Sequence, residues 1–231
     1  GYILVGYADD ISGRDARVVK VDSEGNEQWN KTFGRGVSFD FDVVYSVQET
    51  SDGGYILAGH TMGLDDSSFN IWLVKIDSDG NKEWDKTYGG ENWDETRAVF
   101  QTSDGGYILV GYTKSFGEGG FDMWLIKLDS EGNELWNRTY GGSGDDKAFS
   151  AQPTSDGGYV LAGYTESSGE GGKDGWVVKL DQDGNQLWSK TFGGPQNDEA
   201  FSIQQTSDGG YILAGYTESS GEGEKDGWVV K

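Results

Sequence analysis

Residues 206–217 read Thr-Ser-Asp-Gly-Gly-Tyr-Ile-Leu-Ala-Gly-Tyr-Thr, and close copies of this stretch begin at Thr50, Thr102 and Thr154. Each copy begins 52 residues after the one before it. A fixed period of this length indicates a repeat architecture, in which each copy is a small unit that buries its apolar surface only by packing on its neighbours. The sequence therefore indicates the architecture of the protein more clearly than its activity.

Each copy contains four short apolar runs, which we name strands a to d. Strands a, b and c of the last copy are residues 200–204, 211–217 and 228–230, and the d run before them is 187–192. These runs have strand length and are rich in β-branched and aromatic residues, without a competing helical periodicity. The a–b turn, Thr-Ser-Asp-Gly-Gly, predicts a hairpin whose paired glycines supply positive φ angles, and the Gly-Asn of the c–d turn predicts a second hairpin. Each copy is therefore predicted to be an antiparallel four-stranded meander.

Strand b is apolar on both faces, as residues 55–58 show, so its sheet must be covered on both sides. Blades that stack face to face in a β-propeller meet this requirement. An interior glycine in each strand b, such as Gly163, indicates a bulge or the close approach of another segment. Tryptophan recurs at one position of strand c and one of strand d, which we interpret as packing between blades. The strand-c tryptophans are Trp72, Trp124, Trp176 and Trp228, and those of strand d are Trp29, Trp84, Trp136 and Trp188.

The predicted fold is an all-β propeller of four-stranded antiparallel blades. Eighteen strands are expected over residues 1–231, which would give five blades of three, four, four, four and three strands. Four blades with an extra hairpin, or a strand-swapped assembly, are the alternatives, because unpaired strand edges invite exchange. The chain begins inside strand b and stops inside strand c, so we expect a single domain that is a piece of a longer repeat protein. The absence of cysteine excludes disulfides and thiolate metal sites.

The repeat matches a known group of proteins. Residues 193–217 follow the composite Gly-Gly-x-x-x-Asp-x-Ala-Phe-Ser-x-Gln-x-Thr-Ser-Asp-Gly-Gly-Tyr-Ile-Leu-Ala-Gly-Tyr-Thr, and residues 176–188 read Trp-Val-Val-Lys-Leu-Asp-x-Asp-Gly-Asn-x-x-Trp. Both resemble the tandem repeats of secreted and surface β-propeller proteins of bacteria and archaea, and the resemblance covers essentially the whole chain. It implies a propeller fold and an extracellular or cell-surface location. It implies little about activity, because most members of the group have no assigned function.

The formal net charge of the chain is −22. Nucleic acid is therefore not an expected partner, because binding it depends on clustered Lys and Arg side chains. No apolar run approaches the length of a membrane span, so membrane insertion is not expected. If the a–b and c–d turns share one face, the b–c and d–a loops form the other, which collects acidic residues that include Glu118, Asp122, Glu166 and Asp174. Such a face attracts cations or basic partners, or simply keeps the protein soluble.

One position just before strand a is acidic in every copy: Asp42, Asp94, Asp146 and Asp198. Since strands a line the channel of a propeller, the four carboxylates are expected to form a ring near its mouth, which could hold Ca²⁺ with carbonyl and water ligands. The alternative, which we favour, is that each Asp accepts backbone amide hydrogen bonds in its own turn and clamps one blade to the next. A second repeated position, just before strand c, has the same interpretation: Asp15, Asn70, Asp122, Asp174 and Asp226. We expect no other cofactor.

A specific site is expected where one copy departs from the repeat. Trp93 is the one tryptophan outside the repeat positions, and Arg97 replaces an aromatic residue of the other copies. With Asp94 they would lie together on the acidic face, where an exposed aromatic ring beside polar groups can stack on a sugar or cap the adjacent blade. Phe39, in a longer d–a loop, could shape a pocket. His60 replaces a repeat tyrosine, and as the only histidine it excludes a Ser-His-Asp triad or a histidine-rich metal site.

Three function classes stay open. The favoured class is a non-enzymatic extracellular module that presents its acidic loop face to a protein or glycan partner, because near-identical blades make a scaffold. An enzyme acting on polysaccharide would use carboxylates at the channel mouth as acid and base. Nearly equivalent blades work against this, because such a pair needs two different environments. The third class is a structural spacer in a surface repeat array. No catalytic residue is predicted, and self-association through exposed terminal strands is a further expectation.

Overall fold

The computed structural model describes residues 1–9, 13–34, 40–62 and 68–231. Within these ranges the chain forms eighteen β-strands, and none of it forms a helix that could cross a bilayer. The chain divides into two compact units, residues 1–109 with 127–136 and residues 110–126 with 137–231.

The strands form five meanders in chain order, which we call blades. The first blade has β1 (Tyr2–Asp9), β2 (Gly13–Val21) and β3 (Glu27–Phe33). The second has β4 (Asp40–Glu49), β5 (Tyr55–Met62), β6 (Asn70–Ile76) and β7 (Lys82–Tyr88). The third has β8 (Asp94–Gln101), β9 (Tyr107–Thr113), β10 (Asp122–Leu128) and β11 (Glu134–Tyr140). The fourth has β12 (Asp146–Pro153), β13 (Tyr159–Thr165), β14 (Asp174–Leu180) and β15 (Gln186–Phe192). The fifth has β16 (Asp198–Gln205), β17 (Tyr211–Thr217) and β18 (Asp226–Val230).

The predicted fold class is confirmed, since the described chain is all-β and built from four-stranded antiparallel meanders with shorter ones at each end. The first two blades also share one sheet, because β2 pairs with β4 in parallel over Gly13–Asp40 and Arg14–Phe41. The sequence did not indicate this short parallel pairing. The closure of the blades into a ring stays a prediction.

Strands b and c of the second, third and fourth blades are buried on both faces, whereas β1 of the first blade and β17 and β18 of the fifth are partly exposed. In the first unit, side chains of neighbouring blades form one core cluster that includes Val18, Leu57 and Trp72. In the second unit, Val160, Val177 and Ile203 belong to an equivalent cluster between the fourth and fifth blades. Each blade therefore contributes apolar surface to its neighbour, and burial of this surface is the main source of stability.

The repeated tryptophans pack as the sequence predicts. In strand c, Trp72, Trp124 and Trp176 are at most 8% exposed. In strand d, three tryptophans contact the tyrosine that begins strand b of the next blade. The ring centroids are 6.3 Å apart for Trp29–Tyr55, 6.0 Å for Trp84–Tyr107 and 5.9 Å for Trp188–Tyr211. The edge-on geometry is one that aromatic pairs prefer. The strand-d tryptophans therefore join adjacent blades.

The interior glycine of strand b lies opposite a β-bulge in strand a. Gly163 pairs with Ala148, and the register of β12 then shifts so that Phe149 is the extra residue. A Cβ on Gly163 would stand 1.7 Å from the carbonyl oxygen of Lys147, so no other residue fits. The fifth blade repeats this arrangement around Gly215. The bulge therefore makes the glycine obligatory.

The two glycines of the a–b turn have different roles, which corrects the sequence-based prediction that both supply positive φ. Gly157 has a φ of 85°, and Gly105 has a φ of 84°. In three of the four pairs the second glycine instead allows close approach, as at Gly158, where a Cβ would lie 2.1 Å from the carbonyl oxygen of Leu180. The first glycine is thus required by conformation and the second by space.

Candidate functional site

Three of the four residues predicted as a ligand site lie at the start of β8, and the fourth, Phe39, lies outside the described residues. Trp93 is 42% exposed. Its Nε1 donates a hydrogen bond of 2.5 Å to Glu95 Oε1, and its ring packs on Phe69 with a centroid distance of 4.9 Å. Trp93 is therefore held in a fixed orientation while part of its surface remains accessible.

Arg97 is anchored by the same carboxylate. Its Nη2 donates to Glu95 Oε2 at 2.8 Å, and its guanidinium lies 4.6 Å from the centroid of the Tyr45 ring. Tyr45 is the bulge residue of β4 and is 42% exposed. Burial raises the pKa of Tyr45, and the charge of Glu95 adds to this effect. Arg97 and Trp93 are thus brought together by Glu95, which the sequence analysis did not single out.

His60 lies on the inner side of this cluster. Its ring is 4.4 Å from the Phe69 ring and 5.3 Å from the Tyr45 ring, between centroids. Its Nδ1 lies 3.8 Å from Glu95 Oε2, and the residue is 6% exposed. These contacts show that His60 packs against the aromatic rings of the cluster. We call Tyr45, His60, Phe69, Trp93, Glu95 and Arg97 the divergent cluster.

The equivalent residues of the second unit make a different arrangement. Lys147, which is 52 positions after Glu95, places its Nζ 3.6 Å from the centroid of the Phe121 ring and 4.7 Å from that of Tyr112. These two rings correspond to Phe69 and His60. Glu95 thus stands where the next copy has an ammonium group, while Glu199 of the fifth blade is a carboxylate that accepts from Lys173 and Tyr216 instead of from a tryptophan and an arginine. The clustering of several substitutions in one place is the signal by which Glu95 could have been found.

The acidic residues before strand a are fully buried: Asp42, Asp94, Asp146 and Asp198 are each 0% exposed. Asp94 Oδ2 accepts a hydrogen bond from the amide of Gly90, and Asp146 and Asp198 do the same with Gly142 and Gly194, at 2.8–3.0 Å. The backbone amide of each of the three donates to a carbonyl of the preceding blade's b–c loop. The clamp interpretation is confirmed for these three residues.

Hydrogen bonds set the ionisation of Asp198. Burial raises the pKa of this carboxyl, but hydrogen bonds from Thr217, Ser219 and Gly194 outweigh burial and lower the pKa overall. Within the described ranges no three or more acidic, histidine or cysteine side chains group where a metal ion could be held. The hydrogen bonds of Asp94, Asp146 and Asp198 place these carboxylates at the blade junctions, and a cation site there stays a prediction.

The acidic position before strand c is also buried. Asp122 and Asp174 are 2% and 3% exposed, although the sequence placed them with the acidic loop face. Burial raises the pKa of Asp122 to about 6, and the pKa of Asp174 is raised for the same reason. Both lie beside the first glycine of the following d–a loop, Gly141 and Gly193. These carboxyls belong to the blade junctions and not to the solvent-exposed face.

No family model matches the chain. Regulatory protein FlaEY of Caulobacter vibrioides is 27% identical over 138 residues, which is 53% of this chain and 14% of the relative. A crystal structure of a Bacteroides caccae protein of unknown function aligns with a TM-score of 0.54 at 14% identity, over 92% of this chain and 64% of the other. Puromycin hydrolase aligns over 93% of this chain and 32% of its own, with a TM-score of 0.45 and 18% identity. The chain thus spans a small part of FlaEY and less than two thirds of the Bacteroides protein, and the likeness to solved structures supports the fold alone.

Proposed function

We propose that this protein is a non-enzymatic, extracellular or cell-surface binding module, which contacts a glycan or protein partner through the divergent cluster. The observation that carries the proposal is the state of Trp93, whose partly exposed ring is held by Glu95 and Phe69. An aromatic ring that is already fixed loses little conformational entropy when a ligand stacks on it. The rest of the repeat makes a uniform scaffold, and this junction is where several substitutions occur together.

The arrangement favours binding over catalysis. Glu95 is 4% exposed and has both oxygens engaged, by Trp93 and by Arg97, and Asp94 is buried in its turn. A glycosidase requires two carboxyls that reach the scissile bond. These two carboxyls are instead committed to positioning other groups, so the cluster supports recognition and not hydrolysis.

The proposal is tested on a glycan array with the wild-type protein, Trp93→Ala and Trp93→Phe. We expect Trp93→Ala to weaken binding about tenfold, and Trp93→Phe to retain more affinity because it keeps an aromatic face. The melting temperature of Trp93→Ala should fall by no more than about 4 °C. Leu135→Ala is the matched control, since Leu135 is 58% exposed and lies outside the cluster.

Equal binding by Trp93→Ala and the wild type would contradict the assignment of the site. If the protein binds neither glycans nor any of a panel of surface proteins, the spacer function replaces the proposal. If the protein hydrolyses polysaccharide, the enzyme function replaces it. Self-association through the terminal strands stays a prediction, to which the exposure of Tyr2 on β1 (67%) and Val229 on β18 (66%) lends support. Sedimentation of the protein over a range of concentrations tests for self-association.

A further inference from the structure

Two blade junctions of the second unit contain a pair of buried aspartates. Asp122, at the start of β10, meets Asp146, at the start of β12, and Asp174 meets Asp198 in the same way one repeat later. All four are at most 3% exposed. Backbone hydrogen bonds explain how each carboxyl is held, but they do not explain why two buried acidic groups lie side by side.

The two carboxyls of each pair adjoin one another. Asp122 Oδ1 and Asp146 Oδ2 lie 2.1 and 2.7 Å from the point that a Cβ on Gly141 would occupy. Asp174 Oδ1 and Asp198 Oδ2 lie 2.8 and 2.5 Å from the equivalent point on Gly193. A glycine at this position is therefore needed to let two oxygens from different blades come together.

The donors around the first pair are unequally shared. Asp146 Oδ2 accepts hydrogen bonds from the Gly142 amide at 2.9 Å and the Ser167 hydroxyl at 2.6 Å. Asp122 Oδ2 accepts one from the Glu118 amide at 2.9 Å. Asp146 is thus the better-stabilised carboxylate, and Asp122 is the member that favours the neutral form.

Among the described residues, the charged groups that act on Asp122 and Asp174 are acidic. Near Asp122 lie Glu118 and Asp145, which are also acidic, while Lys114 and Lys147 place their ammonium groups over the Phe121 ring. Near Asp174, Glu170 is acidic, and Lys173 is paired with Glu199 at 2.8 Å. Two adjoining buried carboxylates repel each other strongly, and removing one charge by protonation relieves the repulsion.

We propose that Asp122–Asp146 and Asp174–Asp198 each hold one proton, as an acid–carboxylate pair, so that the junctions weaken when the pH rises and the proton is lost. The raised pKa values of Asp122 and Asp174 and the lowered pKa of Asp198 agree with this assignment of the proton to the b–c loop member.

The junction between the second and third blades contains a natural counterpart. Asn70 replaces the first aspartate there, and its Oδ1 and Asp94 Oδ2 lie 2.0 and 2.6 Å from the Cβ point of Gly89. An amide is neutral at every pH and resembles a protonated carboxyl in shape. The repeat therefore accepts a permanently neutral group where the other junctions have an ionisable one.

The direction of the pH dependence follows from proton counting. Asp122 has a pKa of about 6 in the folded protein and an ordinary value near 4 when unfolded. Between these values the folded state binds more protons, so stability falls as the pH rises from about 4 to about 7.

The experiment measures thermal unfolding between pH 4.5 and 7.5 for the wild type, for Asp122→Asn/Asp174→Asn and for Asn70→Asp. For the wild type we expect the melting temperature to fall across this range by about 2–4 °C for each pair. The double variant should show a smaller fall and be the more stable protein at pH 7.5. Asn70→Asp, which creates a further pair with Asp94, should show a larger fall. Infrared spectra at pH 5 should show a protonated carboxyl band that is weaker in the double variant, a readout that a purely structural role would not change.

Equal pH dependence in the wild type and the double variant would overturn the proposal. So would a calcium-specific rise in melting temperature, at matched ionic strength, that is present in the wild type and absent from the double variant, since the pairs would then bind a cation. Far-UV circular dichroism confirms that each variant is folded, and Asn70→Asp keeps the proposal testable if the double variant does not fold.

Discussion

Lys179 shows why a charged residue recurs in the otherwise apolar strand c. It is 3% exposed, and its Nζ donates to Thr154 Oγ1, Asp156 Oδ1 and the carbonyl of Leu180 at 2.9–3.0 Å. Asp156 Oδ1 also accepts from the Gly158 amide at 3.2 Å. The Thr-Ser-Asp-Gly-Gly turn and the strand-c lysine therefore form one hydrogen-bonded unit, which Lys75 and Lys127 repeat in their own copies.

The first prediction concerns this lysine. Lys179→Met keeps the length of the side chain but removes three hydrogen bonds, so we expect the free energy of unfolding to fall by about 1–3 kcal/mol. Chemical denaturation measures the change. Lys190→Met, at an exposed position of β15, is the control and should have little effect. Equal stability of Lys179→Met and the wild type would show that the ammonium group is dispensable.

Individual residues were predicted unevenly from the sequence. The repeated tryptophans and the buried Asp146 were recognised because every blade needs the same contact, and a need shared by all copies leaves a period in the sequence. Lys179 was missed although it recurs in every copy, because no local rule links a strand-c lysine to a turn 25 residues earlier. Glu95 was missed because a contact made in one copy leaves no period.

At the scale of the strand, the bulge in strand a determines where side chains point. The extra residue is Tyr45, Phe149 or Phe201 in three blades, and Phe149 and Phe201 lie in contact with centroids 5.5 Å apart. Arg97 stands at the corresponding place in the third blade. This position, which is aromatic in three blades and Arg97 in the third, is the one whose side chain a bulge turns out of the regular pleat of the strand.

The second prediction is a matched pair of glycine substitutions in strand b. Gly163→Ala places a methyl group against the Lys147 carbonyl and should destabilise the protein by about 1–3 kcal/mol or more. Gly6→Ala is the control, because no atom lies within 4 Å of its Cβ point. Urea unfolding of both variants provides the comparison. Similar losses at both positions would mean that strand propensity, and not the bulge, explains why a glycine recurs in strand b of every copy.

The strands themselves were predictable from the sequence. The predicted strand b at 211–217 coincides with β17, and the predicted d run at 187–192 differs from β15 by one residue. Alternating turn glycines and apolar runs determine such elements locally. The parallel pairing of β2 with β4 was not predicted, because it joins different copies and leaves no repeated pattern.

Across the whole molecule, the turn aspartates determine the response to acid. Hydrogen bonds from threonine hydroxyls, with help from the strand-c lysines, lower the pKa of Asp52, Asp104 and Asp156 to about 2. Unfolded aspartate has a pKa near 4, so the unfolded state binds more protons between these values. The stability that these three carboxylates contribute is therefore fully present above pH 4 and is lost as the pH falls towards 2.

The third prediction follows from this loss of stability at low pH. The double variant Asp104→Asn/Asp156→Asn should have a lower melting temperature than the wild type at pH 6. At pH 2.5 the difference between the two melting temperatures should be smaller, because the carboxyls of the wild type then also begin to be protonated. Asp183→Asn, at an exposed turn position, should follow the wild type at every pH. A constant difference between the double variant and the wild type from pH 6 to pH 2.5 would contradict the predicted role of these carboxylates.

The number of blades and the way in which they close were the least predictable features of the molecule. The 52-residue period determines the blade, because each copy carries its own turns and its own apolar runs. The way in which the ends meet depends on contacts that occur once, and the sequence left five blades, four blades and a strand-swapped assembly open. The same reason limits the site, since the divergent cluster combines residues of two blades through the contacts of Glu95 with Trp93 and Arg97, and no other copy has this tryptophan or this arginine.

The hydrogen bonds between strands a of adjacent blades have a consequence for how such a gene can change. Ser46 accepts from the amide of Val99, and Ser150 accepts from that of Ile203, in both cases 53 residues further along the chain. Duplication or deletion of a whole repeat by unequal recombination leaves every such pair at the same separation. The new junction then finds its partners already encoded on both sides, so the number of repeats can change in a single genetic event without any new contact having to evolve.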